Sequence, residues 1–395
     1  MCAVLTQLAA PPRAPSRNAA SLDSFSEGEA AASRNHASSM HSSRALGKAP
    51  CLFFLAVGAT SWGCLEARQP TAGPPVAPSR ALASAATVSS FGMNVLDAEG
   101  ELAFLRALDL TVMGDRTLVG PAFEELVSLP GARARQITLA LGGQQLVLTH
   151  FDAPPGHAVE VARANDAGFQ HVALVVRDMD AAYARLERTR MRPVSASPQT
   201  LPASNPVAAG IRAVYFRDPE GHFMELLQFP PDKGDAMWHR ETKQLFLGID
   251  HSAIVSRNTN ASLRFYRDVL GMRVVSESVN EGREQELLSA VPGARVHITS
   301  LRGASGPGVE LLEYAEPRDG KPFPEATRSD SVHWEIALEV RSVEDTLRAL
   351  RDPGLGTAAP AHGAVVVASP GQARSALVPD PDGHTVRLSE RGARQ

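Results

Sequence analysis

Cysteine is nearly absent from this 395-residue chain, and its three copies, Cys2, Cys51 and Cys64, all precede residue 65. That excludes a disulfide framework, a Cys-rich zinc site and a thiol nucleophile from everything that follows. Charge of one sign is lacking too. The 39 Lys and Arg nearly balance 43 Asp and Glu, so nothing in the composition calls for a nucleic-acid partner. No apolar run is long enough to be a convincing transmembrane helix. No Gly-rich strand–helix junction suggests nucleotide binding. No nucleophile elbow accompanies a Ser-His-Asp set. What is present is 44% hydrophobic residues, enough for real cores in two or three domains.

Residues 1–39 are rich in Ala, Ser, Pro and Arg and read as disordered, or as preceding a true start at Met40. In 40–64, His41, Arg44 and Lys48 precede the apolar stretch Cys51–Ala59, and Gly63-Cys64 follows. That order of basic, apolar and small residues reads as an export signal. Cys64 sits where a bacterial lipoprotein would be lipidated, although Ser61 stands where Leu is usual. The expectation is an exported protein, periplasmic or anchored by lipid, with cytoplasmic residence the alternative. Residues 65–87 read as a Pro/Ala linker.

Beyond it the chain repeats. Ser90, His171, His251 and Glu335 occupy one position in four similar strands, separated by 81, 80 and 84 residues. A period of that length marks a repeated supersecondary unit. The third unit reads β-α-β-β-β and sets the pattern for the others, although in the first no strand is placed between the helix at 98–108 and the strand at 135–141. In the third, 249–255 alternates as a strand, 260–269 has helical periodicity with Leu263, Tyr266 and Leu270 on one face, and Gly271 ends it. In the second, Asp178 caps a helix over 179–190. Asp218-Pro219-Glu220-Gly221-His222 and Asp380-Pro381-Asp382-Gly383-His384 are hairpin turns whose histidines are expected in solvent. The fourth unit includes a strand at 364–368. One unit leaves an apolar sheet face uncovered, so units pair. Economy suggests the first with the second (88–231) and the third with the fourth (248–391), joined by a linker over 232–247 that Trp238 tethers.

The runs His171-Val-Ala-Leu-Val-Val-Arg-Asp178, Phe265-Tyr-Arg-Asp-Val-Leu-Gly271 after His251, and Asp218-Pro-Glu-Gly-His-Phe-Met-Glu225 resemble the vicinal oxygen chelate superfamily of glyoxalases, bleomycin resistance proteins and extradiol dioxygenases. The resemblance covers about residues 88–390. It implies an α+β fold of four βαβββ modules paired into two cup-shaped domains, with metal ligands on the first and last strands of the modules. The last-strand position is then Val147, Glu225, Glu310 and Arg387, lying 57, 54, 59 and 52 residues after the first-strand position.

With sequential pairing, the N-terminal cup offers His171 and Glu225 beside Ser90 and Val147, a weaker second site. The C-terminal cup offers His251, Glu310 and Glu335, with His333 in reserve, to a divalent metal (Zn, Fe, Mn, Ni or Co). Glu310 or Glu335 would move a proton, and Arg387, which cannot ligate a metal, would hold a substrate carboxylate or phosphate. Phe216, Phe223, Tyr314 and Trp334 are candidate wall residues. The function implied is a metal-dependent lyase, isomerase or dioxygenase acting on a small oxygen-chelating molecule. The alternative is an exported protein of the same fold that sequesters a small molecule without chemistry.

Overall fold

A computed structural model describes residues 85–352 and 373–391, all within the compact unit Ala72–Gln395. The signal and Cys64, the linker up to residue 84 and the strand expected at 364–368 lie outside the described residues. No described helix is long and apolar enough to cross a membrane.

Four modules follow one another. The first holds β1 (Thr87–Asn94), α1 (Ala98–Ala107), β2 (Thr111–Leu118), α2 (Pro121–Val127), β3 (Arg133–Leu141) and β4 (Gln144–Ala153). The second holds β5 (Gln170–Val176), α3 (Met179–Leu186), the two-residue strands β6 (Arg192–Pro193) and β7 (Gln199–Thr200), β8 (Arg212–Arg217) and β9 (Phe223–Gln228). The third holds β10 (Phe246–Val255), α4 (Thr259–Leu263), β11 (Arg273–Asn280), α5 (Arg283–Ser289), β12 (Arg295–Arg302) and β13 (Gly308–Glu316). The fourth holds β14 (Trp334–Val340), α6 (Val343–Leu350), β15 (Ser375–Pro379) and β16 (Thr385–Glu390).

The main helix of every module starts from the same device. Asp97, Asp178, Asn258 and Ser342 each accept a hydrogen bond from the backbone N–H three residues on. Such caps contribute about 1 kcal/mol each by satisfying a donor that has no partner within the helix. In the third module α4 runs into a π-helical turn at Arg264–Val269. Phe265 and Tyr266 are both fully buried there, and the Tyr266 hydroxyl reaches Asp380 at 3.1 Å.

Neighbouring modules do not pair as economy suggested. One sheet runs β15-β16-β14-β1-β4-β3-β2, joining the first module to the fourth. The other runs β11-β12-β13-β10-β5-β9-β8-β6, with β7 beside β8, joining the second to the third. Paired first strands meet antiparallel at the centre of each sheet, β1 with β14 and β5 with β10. The segments joining first to second module and third to fourth then both cross between sheets, and they bind each other. Ala167 N–H donates to Lys321 O at 2.7 Å, Ser331 N–H to His157 O at 3.0 Å, and Arg163 pairs with Asp319.

Strand alternation sends one side-chain set of each sheet inward. Phe91, Met93, Leu146, Ile336 and Leu388 from one sheet and Val172, Leu174, Leu226, Ile254 and Leu311 from the other join the helices in one buried core. Each such side chain contributes about 1.5–3 kcal/mol when removed from water. The opposite faces form the two cups. Phe216 and Trp334, expected as cup walls, belong to this shared core instead.

The repeated turns are not solvent loops. His222 and His384 are 6% and 2% exposed. Their ring Nδ1 atoms face Asp218 at 2.6 Å and Asp380 at 3.3 Å, while their Nε2 atoms reach the carbonyls of Ser331 and Phe169. Gly221 and Gly383 adopt φ of 104° and 103°, a region that only glycine enters freely. The residue after each proline binds another module: Glu220 accepts from Leu96 and Asp97 N–H, and Asp382 takes the Arg257 backbone and guanidinium. The phrase is a staple between modules of different sheets, and burial follows from that contact.

Candidate metal centre

Pairing the second module with the third brings together residues that sequential pairing had kept apart. His171 opposes Ala253 and His251 opposes Ala173 across β5 and β10. Ala173 lies beside Glu225, and Ala253 beside Glu310. All four ligand positions therefore occupy one face of one sheet. His171 Nε2 is 3.2 Å from Glu225 Oε2 and 3.4 Å from His251 Nε2, and His251 Nε2 is 3.5 Å from Glu225 Oε2. The centre of a near-equilateral triangle lies at its edge divided by √3, here about 1.9 Å from each atom, which is a metal–nitrogen or metal–oxygen distance. Glu310 Oε2 approaches His251 Nε2 at 3.4 Å but lies outside the convergent triangle, and its other oxygen accepts from Ser300 Oγ.

His251 is held from behind by a chain of polar groups. Its Nδ1 faces Asp250 Oδ2 at 3.0 Å, which leaves Nε2 for the centre. Asp250 is held in turn by both oxygens on Arg302 and by Trp238 Nε1 at 3.1 Å. A carboxylate behind a ligating imidazole fixes its tautomer and orientation. Trp238 is buried, so it tethers its segment as expected, and it also donates to this chain. Asp250 and Arg302 were not picked from sequence. The adjacency Asp250-His251 was the available signal, but nothing local marks Arg302.

Charges follow from the packing. Burial pushes Glu225 up, yet its bonds to His171 and His251 outweigh that and bring it down to about 2. Burial pushes His251 down, but Glu310, Asp250 and Glu225 around it raise it well above the ordinary histidine value. His171 Nδ1 has no partner among the described residues. The wall is aromatic and apolar: Phe169, Tyr215, Phe223, Leu288 and Tyr314 pack as one cluster, with the Tyr215 ring 4.9 Å from that of His171.

The other sheet repeats the register with other chemistry. Ser90 opposes Ala337 and Glu335 opposes Gly92, while Val147 and Arg387 hold the last-strand positions. Glu335 and His333 therefore do not join His251 and Glu310; Glu335 lies in β14, in the sheet of the first and fourth modules, and His333 immediately precedes that strand. Arg387 forks onto Glu335, with Nε and Nη2 at 2.7 and 3.0 Å from its two oxygens. Burial raises Glu335, but Arg387 and Arg328 pull it below its usual range.

A fold of paired modules with a His/His/Glu cluster on one cup defines a chelate-type scaffold. The model of the Glyoxalase/Bleomycin resistance protein/Dioxygenase superfamily matches residues 77–226 and 248–388, and the chain belongs to that superfamily. Each matched segment contributes one module to each sheet. Glyoxalase I from Zea mays is similar in structure, with a TM-score of 0.52 at 14% identity over 78% of this chain and 93% of that one. A glyoxalase family protein from Bacillus cereus covers 36% of this chain and 93% of its own, at 19% identity and a TM-score of 0.31. A mutant 4-hydroxymandelate synthase from Streptomyces coelicolor covers 79% and 94%, at 16% identity and a TM-score of 0.29. No curated protein sequence matches.

Proposed function

We propose that the chain is a divalent-metal-dependent lyase or isomerase that moves a proton between neighbouring carbons of a small molecule bearing adjacent oxygens. The convergence of His171 Nε2, Glu225 Oε2 and His251 Nε2 within 3.5 Å of one another carries the reading. A bound ion would stabilise negative charge on a substrate oxygen. Glu225, buried between two imidazoles, stays ionised and holds the donor geometry. Asp250 and Arg302 keep the His251 ring aimed. Glu310 is the base: its side chain is 22% exposed against 6% for Glu225, and Ser300 fixes one oxygen while the other approaches His251 Nε2.

The test is elemental analysis of the full chain after supply of Zn, Mn, Fe, Co or Ni and desalting. We expect one ion per chain, lost in the double variant His171→Ala/His251→Ala. Glu310→Gln should keep the ion but abolish deuterium exchange from solvent into the carbon beside the chelating oxygens. Wild-type protein without metal, or metal retained by the double variant, would sink the reading. Two imidazoles and one carboxylate also suit iron, so a dioxygenase is the second reading. Oxygen uptake by the iron-loaded protein separates the two.

A further inference from the structure

We propose that the cup of the first and fourth modules is a separate binding site for a small organic carboxylate. Its cavity measures about 410 Å³, and Arg116, Leu118, Phe123, Gln136, Glu335 and Arg387 are among its walls. That volume falls within the roughly 300–1,000 Å³ of small-molecule sites. A narrow void shared with the floor adds Arg328 and His333.

The charges there do not balance. Three guanidiniums face one carboxylate. Arg387 is spent on Glu335. Arg116 rests only on the neutral Gln136 amide oxygen, at 2.6 and 3.0 Å. Arg328 donates to Thr385 Oγ1 at 2.6 Å. Among the described residues neither Arg116 nor Arg328 has a carboxylate within ion-pair distance. Arg328 is partly desolvated without a counter-charge, which is unfavourable and which an anion entering the cup relieves, while the exposed Arg116 adds a second guanidinium to the same wall. A planar carboxylate suits the N–H groups that guanidiniums still offer.

A second observation is independent of charge. Both ring nitrogens of His333 are buried without a well-formed hydrogen bond; the Thr327 backbone is a marginal partner, and Arg328, Asp330 and Glu335 are the other polar groups nearby. Unpaired buried polar atoms are rare in native proteins and point to a missing partner. Leu118, Phe123 and Leu126 give the cavity an apolar side that inorganic phosphate would leave unused. The ligand class is thus a carboxylate with a short apolar tail, bound without metal, since neither Ser90, Val147 nor Arg387 offers what a cation requires.

The experiment is calorimetric titration of the full chain with butyrate, benzoate and inorganic phosphate. We expect saturable binding of at least one carboxylate with one site per chain. Affinity should fall at least tenfold in Arg116→Met, an exposed position whose change does not threaten folding. It should fall similarly in Arg328→Met, which removes the other guanidinium that has no carboxylate partner. Glu225→Gln, in the other cup, should bind as the wild type does. No saturable binding, binding of phosphate alone, or equal affinity in both cup variants would each overturn the assignment.

Discussion

His171 Nε2 and His251 Nε2 lie 3.4 Å apart although 80 residues separate them in the chain. Only the antiparallel β5–β10 seam makes them neighbours. An ion held between them binds the folded chain and not the unfolded one. Binding should therefore stabilise, by about 2.7 kcal/mol at a free-ion concentration one hundred times Kd. Thermal melts with zinc and with a chelator should differ by several degrees in the wild type and by nothing in His171→Ala/His251→Ala.

The Arg387–Glu335 fork carries a different expectation. Removing the guanidinium alone strands a half-buried carboxylate, so Arg387→Met should cost about 2 kcal/mol. Adding Glu335→Gln should recover most of that loss, because both charges then leave together. Urea midpoints of the three variants and the wild type check the coupling. Additive losses would show that the pair does not act as a unit.

Glu101 is 1% exposed and has no well-formed hydrogen bond among the described residues, with the Asp218 carboxylate as its polar neighbour. Burial first, then Asp218 and Glu220, raises it well above the usual carboxylate range. A group whose folded value is raised binds its proton more tightly when folded. Its contribution is intact below the unfolded value near 4.5 and is lost as pH rises through the folded one. Glu101→Gln should therefore raise Tm at pH 8 and change it little at pH 4.

The stapling histidines have the same sign. Burial lowers His222 and His384, but Asp218 and Asp380 outweigh it and raise both. Their stabilisation is complete below the unfolded value near 6.5 and fades as pH rises through the folded ones. His222→Asn/His384→Asn should melt lower than the wild type at pH 6, with the gap narrowing toward pH 9.

Much of this was legible along the chain. The strand over 249–255 and the helical segment over 260–269 fall where the sequence places them, because alternation and helical periodicity are local signals. The strand β2 and the helices α2 and α5 were missed. The residues of β2 lie in solvent on nearly every position, so no alternation betrays that edge strand. Burial of His222 and His384 was missed because it comes from contacts to Ser331 and Phe169, far away in sequence.

The repeat at 90, 171, 251 and 335 determined the module, its count and the register of the two ligand positions. Strand pairing keeps those positions equivalent in both sheets. Which modules meet was decided only in the tertiary structure. Every module offers the same first-strand edge and the same apolar face, so local sequence favours no partner over another. The choice is made by crossing segments that bind each other and by turns that staple one sheet to the next. That choice moved His171 and Glu225 beside His251 and Glu310, and set Glu335 against Arg387.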